Sequence, residues 1–464
     1  MTVSLTLIET QLADLEAALF PGEGLEAGAV VLCGRHEHGG RHRLVGHRVV
    51  PVPDDQYQRR EPDLLTWNTE FLQPLLIEAT KKGMAILKVH SHPSGHAAFS
   101  AADDAADAAL FPSIHGWVDD GLPHASAIFL PGRTLIGRAH FEDGTREPLS
   151  AIMIVGADIR IATSLEMDVS AAGERNAQVF GDGTYSTLRG LRAAVVGTSG
   201  TGSWVVDLLS KLEVGHLALV DPDDVEKKNL NRIAGATAAD VGRLKVEVLR
   251  DRIKSLGLGT RVETIPHELA HPDAIAAAAG ADVVFGCLDS IDGRHLLNRL
   301  ATYYALPYFD VGVRLIADGS GGIDQVCGTV HYLQPGLSSL LTRGLYTNEQ
   351  LRAANLKRSD PEAFAAEREE NYIAGVDVGR PAVAPVNMFY SAAAVLDFLA
   401  RLHPFRLENN SEIASLMWSH SGIFQIVRAE SGYAADEAFA RLVGRGDTSP
   451  RLGLPMLSPK KDGN

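Results

Sequence analysis

The sequence predicts an α/β protein built in two parts. An N-terminal α+β region is followed by a doubly wound, mostly parallel sheet with helices on both faces. Three observations predict this. Short apolar strands and helical stretches mix irregularly over the first 160 or so residues. From residue 191 apolar strands alternate regularly with amphipathic helices. A polar, glycine-rich stretch at 164–190 separates the two patterns, and a length of 464 residues leaves room for two to four domains.

Taken in chain order, MTVSLTLIETQLADLEAALF has no basic start and carries acids through its apolar stripe. It predicts an amphipathic helix rather than a signal peptide. AVVLCG and RLVGHRVVPV predict strands joined by GRHEHGGRHRLVGH, a solvated hairpin bearing His36, His38, His42 and His47. LLTWNTEFLQPLLIEATKKG predicts a helix, and MAILKVH and ASAIFLPG predict strands. The first domain is therefore set at 1–163 and a linker at 164–190. In the second domain, 191–443, RAAVVG, HLALVD, ADVVFGCLD and PYFDVGV are the strands, and GRLKVEVLRDRIKSLG is one of the helices. Residues 444–464 have the composition of a disordered tail.

Composition narrows the function. The net charge is −15 with no basic block, which argues against a nucleic-acid surface. No apolar run is long enough to span a membrane. The three cysteines, Cys33, Cys287 and Cys327, are widely spaced and form no CxxC. That disfavours a disulfide framework or a cysteine-built zinc site and fits a reducing cytoplasm.

The segment VHSHPSGHAAFSAADD, 89–104, carries the first candidate chemistry. On a strand His90 and His92 project from one face, and Pro93 stops the strand. Asp103 lies one turn into the following helix. Two imidazoles and a carboxylate supply three ligands for a zinc ion and leave one position for water. Ser100 and Asp103 also read as a capping box that needs no metal. His90, Ser91, His92, seven residues, Ser100, two residues, Asp103: this order resembles the JAMM motif of the JAB/MPN metalloproteases over roughly residues 1–160. The resemblance implies a cytidine-deaminase-like α+β fold. It also implies Zn²⁺ on His90, His92 and Asp103, Ser100 as an oxyanion donor, and an upstream glutamate as general base. Glu26 in EAGAVVLCG is the candidate for that glutamate, with Glu23 close by. The reaction implied is hydrolysis after the C-terminal glycine of a ubiquitin-like protein.

The second site begins at VVGTSGTGS, 195–203. Gly197, Gly200 and Gly202 let backbone approach phosphate at a helix N-terminus. Asp221 ends the next strand, where a ribose hydroxyl would sit, and this much fits a dinucleotide. Asn229, Arg232 and Lys245 follow, and Asp289 ends a later strand. Cations offset a triphosphate and a carboxylate holds Mg²⁺, so the set points to ATP rather than NAD.

The ordered set resembles the ThiF/MoeB/HesA adenylating enzymes from about 174 to 330, and more loosely to 402 through GRPAVAPVNMFYSAAAVLDFLARL. The resemblance implies that the Gly197–Gly202 loop cradles phosphates and that Asp221 holds the ribose. Asn229, Arg232 and Lys245 would contact phosphates, and Asp289 would bind Mg²⁺. Arg175 would be a finger reaching into a partner subunit, so a homodimer is implied. The chemistry would be adenylation of the C-terminal glycine of a ubiquitin-like protein.

Departures from that family are specific. Ser199 stands where a loop glycine is usual, and Ser339 and Thr342 stand where many relatives carry a CxxC zinc half-site. No cysteine follows Cys327, so the acyl-adenylate is expected to pass directly to an outside thiol or sulfur donor, with Cys327 the fallback. Two settings remain open. One is ubiquitin-like conjugation with a conjugating enzyme, including phage defence; the other is sulfur-carrier activation for cofactor or cysteine biosynthesis. A binding scaffold with one degenerate half is the rival of another class.

Overall fold

Alternation along GAVVLCG places one strand between two cores. Ala29, Val31 and Cys33 enter one apolar cluster, and Val30 and Leu32 enter the other. This is the centre of the first unit in a computed structural model that describes residues 1–457 except 319, 361, 363 and 365–382. Chain contacts divide it into two units. The first comprises Met1–Ser164, Thr302–Ala305 and the C-terminal segment from Leu442. The second comprises Leu165–Ala301 and Leu306–Arg441.

The strands of the first unit are β1 (Thr2–Ile8), β2 (Gly28–His38), β3 (Arg41–Pro51), β4 (Tyr57–Arg60), β5 (Leu65–Trp67), β6 (Ala85–Ser91), β7 (His124–Leu130), β8 (Thr134–His140), β9 (Arg146–Pro148), β10 (Ala151–Val155) and β11 (Ile159–Thr163). Nine of them form a mixed sheet in the order β11-β10-β1-β3-β2-β6-β7-β8-β9, and β4 and β5 pair separately. Helix α1 (Glu9–Leu19) closes one face through Leu12, Leu15 and Leu19. Helices α2 (Gln73–Lys82) and α3 (Ala101–Val118) close the other through Leu75, Leu76, Phe111 and Ile114. The site-bearing strand β6 is central, antiparallel to β2 and parallel to β7.

Five local expectations are corrected here. The first residues are strand, not helix: TVSLTLI is rich in β-branched residues and pairs in parallel with both β3 and β10. LLTWNTEFLQPLLIEATKKG is helical only from Thr69; Leu65–Trp67 is strand β5, and Asn68 accepts the Glu70 N–H to start the turn that follows. The β2–β3 hairpin forms at Gly39 and Gly40, both with positive φ, but it is not solvated throughout. His36 and His42 are buried. The cause is the fourth correction: residues 442–457 are no free tail but pack within this unit. Gly444 O accepts the Gly34 N–H, Val443 O bonds His47, and Asp447 bonds both His36 and Tyr304. Residues 458–464 lie outside the described residues. Finally, much of the stretch 164–190 is helix α4 (Glu174–Gly190), interrupted at Gly181, and it belongs to the second unit.

The second unit carries β12 (Arg192–Val196), β13 (His216–Val220), β14 (Arg261–Ile265), β15 (Val283–Gly286), β16 (Tyr308–Ala317), β17 (Ile323–Leu333), β18 (Ser415–Ser419) and β19 (Phe424–Arg428). Its helices after α4 are α5 (Gly200–Lys211), α6 (Lys245–Leu256), α7 (Pro272–Ala279), α8 (Ile291–Tyr303), α9 (Asn348–Ser359) and α10 (Ala384–Leu402). The sheet order is β14-β13-β12-β15-β16-β17-β18-β19. Pairs from β14 to β16 are parallel; the last three pairings are antiparallel. The chain runs outward one way from β12 through β13 and β14, then returns to β15 on the other side. Such a switch opens a crevice at the carboxyl ends of β12 and β15, where ligands bind in doubly wound sheets. Residues 379–382 of the stretch 379–402 lie outside the described residues; the rest forms α10. Among the described residues no helix is long and apolar enough to cross a membrane.

Candidate functional sites

In the first unit β6 delivers His90 from its last turn of pleat, and His92 follows the strand end. Their Nε2 atoms are 3.0 Å apart. Asp103 Oδ1 lies 2.9 Å from His90 Nε2, and Oδ2 lies 3.5 Å from His92 Nε2. Nδ1 of His92 donates to His96 O at 2.8 Å, which fixes the ring with Nε2 facing the cluster. Nδ1 of His90 is buried without a partner, so His92 is the better fixed ring. Two imidazole nitrogens and one carboxylate oxygen, mutually within 4.8 Å, are a donor set that fits zinc with one position left over.

Glu26 and not Glu23 faces this cluster. Glu26 Oε1 is 3.7 Å from His92 Nε2, whereas Glu23 is exposed and pairs with Arg60. Three contacts hold the Glu26 segment. Its N–H donates to Glu61 O, its carbonyl accepts from Arg60 Nε, and the next N–H, of Ala27, donates to Ser91 Oγ. Burial pushes the Glu26 carboxyl up to about 7, against the opposing pull of His92. Burial raises Asp103 as well, but hydrogen bonds from His90, His92 and the Ser100 N–H outweigh it and hold the carboxyl far below the usual range.

Ser100 forms the reciprocal cap of α3. Its hydroxyl donates to Asp103 Oδ2 at 2.8 Å and accepts the Asp103 N–H at 3.1 Å. Its proton is thus committed to orienting Asp103. A cavity of about 60 Å³ lined by Glu26, Trp67, Lys88, His90 and Asp103 opens beside a pocket of about 640 Å³. Leu65, Trp67, Leu72, Leu76, Leu110 and Trp117 line that pocket. The other histidine cluster, His267, His271 and Asp273, is a helix cap: the rings stack 3.8 Å apart at 14°, and His271 Nδ1 accepts the Asp273 N–H. Parallel rings aim their lone pairs side by side rather than at one point.

In the second unit the glycine loop leaves β12 with Gly197 at φ +86°. A Cβ there would sit 2.7 Å from Cys287 O, so backbone and neighbour both require glycine. Asp221, at the end of β13, accepts the Thr198 N–H at 2.7 Å and the Asp223 N–H at 3.0 Å. Lys245, buried at the start of α6, lies 3.4 Å from Asp221 and 2.6 Å from Asp223. Asn229 is buried and accepts the Glu226 N–H, which shapes the turn leading to Arg232. The Arg232 stem packs at Gly200. Asp289 is exposed just past the carboxyl end of β15.

Arg175 is not brought to this loop. It is exposed in the first turn of α4, where Asn176 Nδ2 donates to Lys211 O at the far end of α5. That end is roughly 16 Å along the helix from Gly200. Burial pushes the Cys287 thiol up to about 12 and raises Cys327, so neither is an activated thiol. Ser339 Oγ donates to Asp436 at 2.6 Å, and Arg343 bonds Glu430 at 2.6 Å, Tyr332 O at 2.8 Å and Ala414 O at 3.0 Å. This polar lattice ties the 335–344 turn to the 430–436 segment.

Residues that the motifs did not reveal are Ser91, Lys88 and the groups around Asp107. Lys88 Nζ bonds Asp107 at 2.7 Å, and Ser126, Arg138 and His140 surround the same carboxylate. Lys88 had a signal, since it is two residues before His90 and so shares its face. Ser91 lies between the two histidines and Asp107 one helical turn after Asp103, whereas Ser126, Arg138 and His140 come from distant strands and had no signal.

Comparison with known proteins gives the family. Residues 173–429, more than half the chain, match the ThiF family, and residues 9–134 match prokaryotic homologs of the JAB domain. The chain is 32% identical over 120 residues to the adenylyltransferase and sulfurtransferase UBA4 of Meyerozyma guilliermondii, covering 26% of this chain and 28% of that protein. It is 29% identical over 148 residues to the tRNA threonylcarbamoyladenosine dehydratase of Escherichia coli, covering 32% and 53%. It thus spans about half or less of the length of these relatives. A crystal structure of E. coli MccB with ATP aligns at 15% identity with a TM-score of 0.43, over 58% of this chain and 74% of that one. The chain belongs to the ThiF family and joins its ThiF domain to an N-terminal domain homologous to JAB.

Proposed function

We propose that this chain is a bifunctional enzyme acting on the C-terminal tail of a ubiquitin-like protein. Its first unit is a zinc-dependent peptidase or isopeptidase that cuts after the terminal glycine. Its second unit adenylates that terminus with ATP and Mg²⁺. The observation that carries the proposal is the convergence of the His90, His92 and Asp103 donor atoms, with the buried Glu26 carboxyl 3.7 Å from His92 Nε2.

In the peptidase, His90, His92 and Asp103 would hold the zinc. When bound, the ion supplies Lewis acidity and lowers the pKa of a coordinated water. Glu26 takes a proton as water adds to the scissile carbonyl and gives it to the leaving amine as the C–N bond breaks. A group titrating near 7 serves both transfers. Ser100 keeps Asp103 oriented, and a polarised hydroxyl at that point can share its proton with a developing oxyanion.

In the second unit the tail carboxylate attacks the α-phosphorus of ATP, and the bond to pyrophosphate breaks. The loop at Gly197, Gly200 and Gly202 and the N-terminus of α5 receive phosphate, while Arg232 and Lys245 offset charge. Asn229 shapes the turn that presents Arg232, Asp221 faces the ribose, and Asp289 holds Mg²⁺. Arg175, remote from its own loop, suits a finger given to a partner subunit, so the working form is a homodimer. The raised Cys287 and Cys327 thiols support release of the acyl-adenylate to an outside acceptor.

Ubiquitin-like conjugation is the setting we favour, since a peptidase and an activating centre on one chain act in series on one tail. The similarity to UBA4, an adenylyltransferase and sulfurtransferase, favours sulfur-carrier activation as the second reading. Metal analysis, cleavage of a glycine-terminated ubiquitin-like fusion and ATP–pyrophosphate exchange with a ubiquitin-like protein ending in glycine test the proposal. Zinc-free protein, or exchange that ignores the tail, would refute it.

A further inference from the structure

The carboxamide of Asn387 stands over the glycine loop with a donor that no group among the described residues accepts. Asn387 lies in the first turn of α10, is 3% exposed, and its Nδ2 is buried without a hydrogen-bond partner. It points at the start of α5: a Cβ on Gly200 would lie 2.5 Å from Nδ2 and 3.4 Å from the Arg232 stem. The neighbouring contact fixes this approach, since Ser391 Oγ, one turn on, donates to Thr201 O at 2.8 Å.

Three sets of donors gather at that point. The first turn of α5 exposes N–H groups with no intrahelical partner, and the helix dipole makes the spot positive. Arg232 adds donors only. An unpartnered buried amide N–H₂ in such company is destabilising until an acceptor arrives. The group that satisfies all three at once is an anion with several acceptor oxygens.

We propose that Asn387 is a nucleotide-binding residue whose Nδ2 donates to a phosphate oxygen of ATP at the N-terminus of α5, opposite Arg232. This rests on the reading of the second unit as an ATP site. It also assigns a role to α10: the helix closes the phosphate cradle from the side away from β13. A purely structural role has the amide turned the other way, with Oδ1 capping an α5 N–H; the two orientations are separable by chemistry.

Asn387→Asp separates them. Aspartate keeps the Oδ1 acceptor, so a capping role survives and the helix N-terminus is better neutralised, but the donor is lost and a negative charge faces the phosphates. In the full-length protein we expect Asn387→Asp to weaken equilibrium MgATP binding at least tenfold and to raise KM for ATP in pyrophosphate exchange. Its unfolding midpoint without nucleotide should stay at the wild-type value. Asn387→Ala should weaken binding less, by several-fold, which guards against a misfolded Asp variant. MgATP affinity unchanged in both variants, while wild type binds, overturns the role of Asn387 alone. Wild type that fails to bind MgATP overturns the ATP reading and this proposal together.

Discussion

The hydroxyl of Ser91 accepts the backbone N–H of Ala27 at 2.9 Å. The residue between the two histidines thereby ties the strand that carries the imidazoles to the segment that carries Glu26. Ser91 is fully buried, as its position between two site-facing residues on an alternating strand requires. Removing the hydroxyl leaves the ligands in place but frees the base. We expect Ser91→Ala to retain its zinc and to lower kcat/KM for peptide cleavage by roughly tenfold to a hundredfold, as loss of outer-shell support does at metal sites. Metal content and cleavage rate measured on the same preparation check this.

Glu26 and the ligands should separate in the same assay. Glu26→Gln keeps the shape of the cavity and removes the proton acceptor, so cleavage should fall by about 10²- to 10⁴-fold with zinc retained. His92→Ala should lose both. A Glu26→Gln enzyme that cleaves at the wild-type rate would leave Glu26 outside the mechanism.

Which parts of these sites were legible follows from how local each one is. His90, His92 and Asp103 sit within fourteen residues on a strand and the helix after it, so spacing alone aims them together. Gly197, Asp221 and Asp289 each mark a strand's carboxyl end, which the fold lines up on one edge. Asn387 and the Tyr57–Glu61 segment carry no such mark. They reach their sites only through tertiary packing of elements far apart in the chain. The same reason hid the packing of residues 442–457: a glycine- and proline-rich composition resembles a tail, and what orders it is a set of bonds to β2 and β3 some 400 residues earlier.

Lys245 should matter for nucleotide chemistry more than for folding. Its ammonium rests between Asp221 and Asp223, close to where a triphosphate would gather charge. Lys245→Met should reduce tail-dependent ATP–pyrophosphate exchange by about 10²- to 10³-fold, the usual effect of losing one preorganised cationic or hydrogen-bonding group. Exchange by Lys245→Met at the wild-type rate would remove it from the site.

Arg343 is the clearest stability determinant in the second unit. Its guanidinium is buried and spends its donors on Glu430, Ser338 and the carbonyls of Tyr332 and Ala414. Cutting one partner from a buried pair strands the other's charge. Glu430→Ala is therefore expected to destabilise the protein by about 3–5 kcal/mol, measured as a shift in the denaturant midpoint at constant slope. The turn at Ser339 and Thr342 should loosen first in hydrogen exchange, because that lattice is what fastens it.

Asp107 gives the first unit an acid-sensitive lock. Burial alone would raise its carboxyl, but the hydrogen bond with His140 and the charges of Lys88 and Arg138 overcome this and hold it far below the ordinary value. In the unfolded chain the group returns to about 3.9. Below that value the unfolded state takes up a proton that the folded state refuses, so stability falls as pH drops from about 4 toward the folded pKa. Above about pH 5 the contribution is fully present. Asp107→Asn should therefore be less stable than wild type by about 3–5 kcal/mol at pH 7, since Lys88 and Arg138 then face an uncharged amide. The gap should narrow as the pH is lowered below 4, where the wild type loses what the variant never had. Denaturant titrations of both proteins from pH 7 to pH 3 check the sign, and a gap that is constant across that range would show that the Asp107 charge does not hold the sheet to α3.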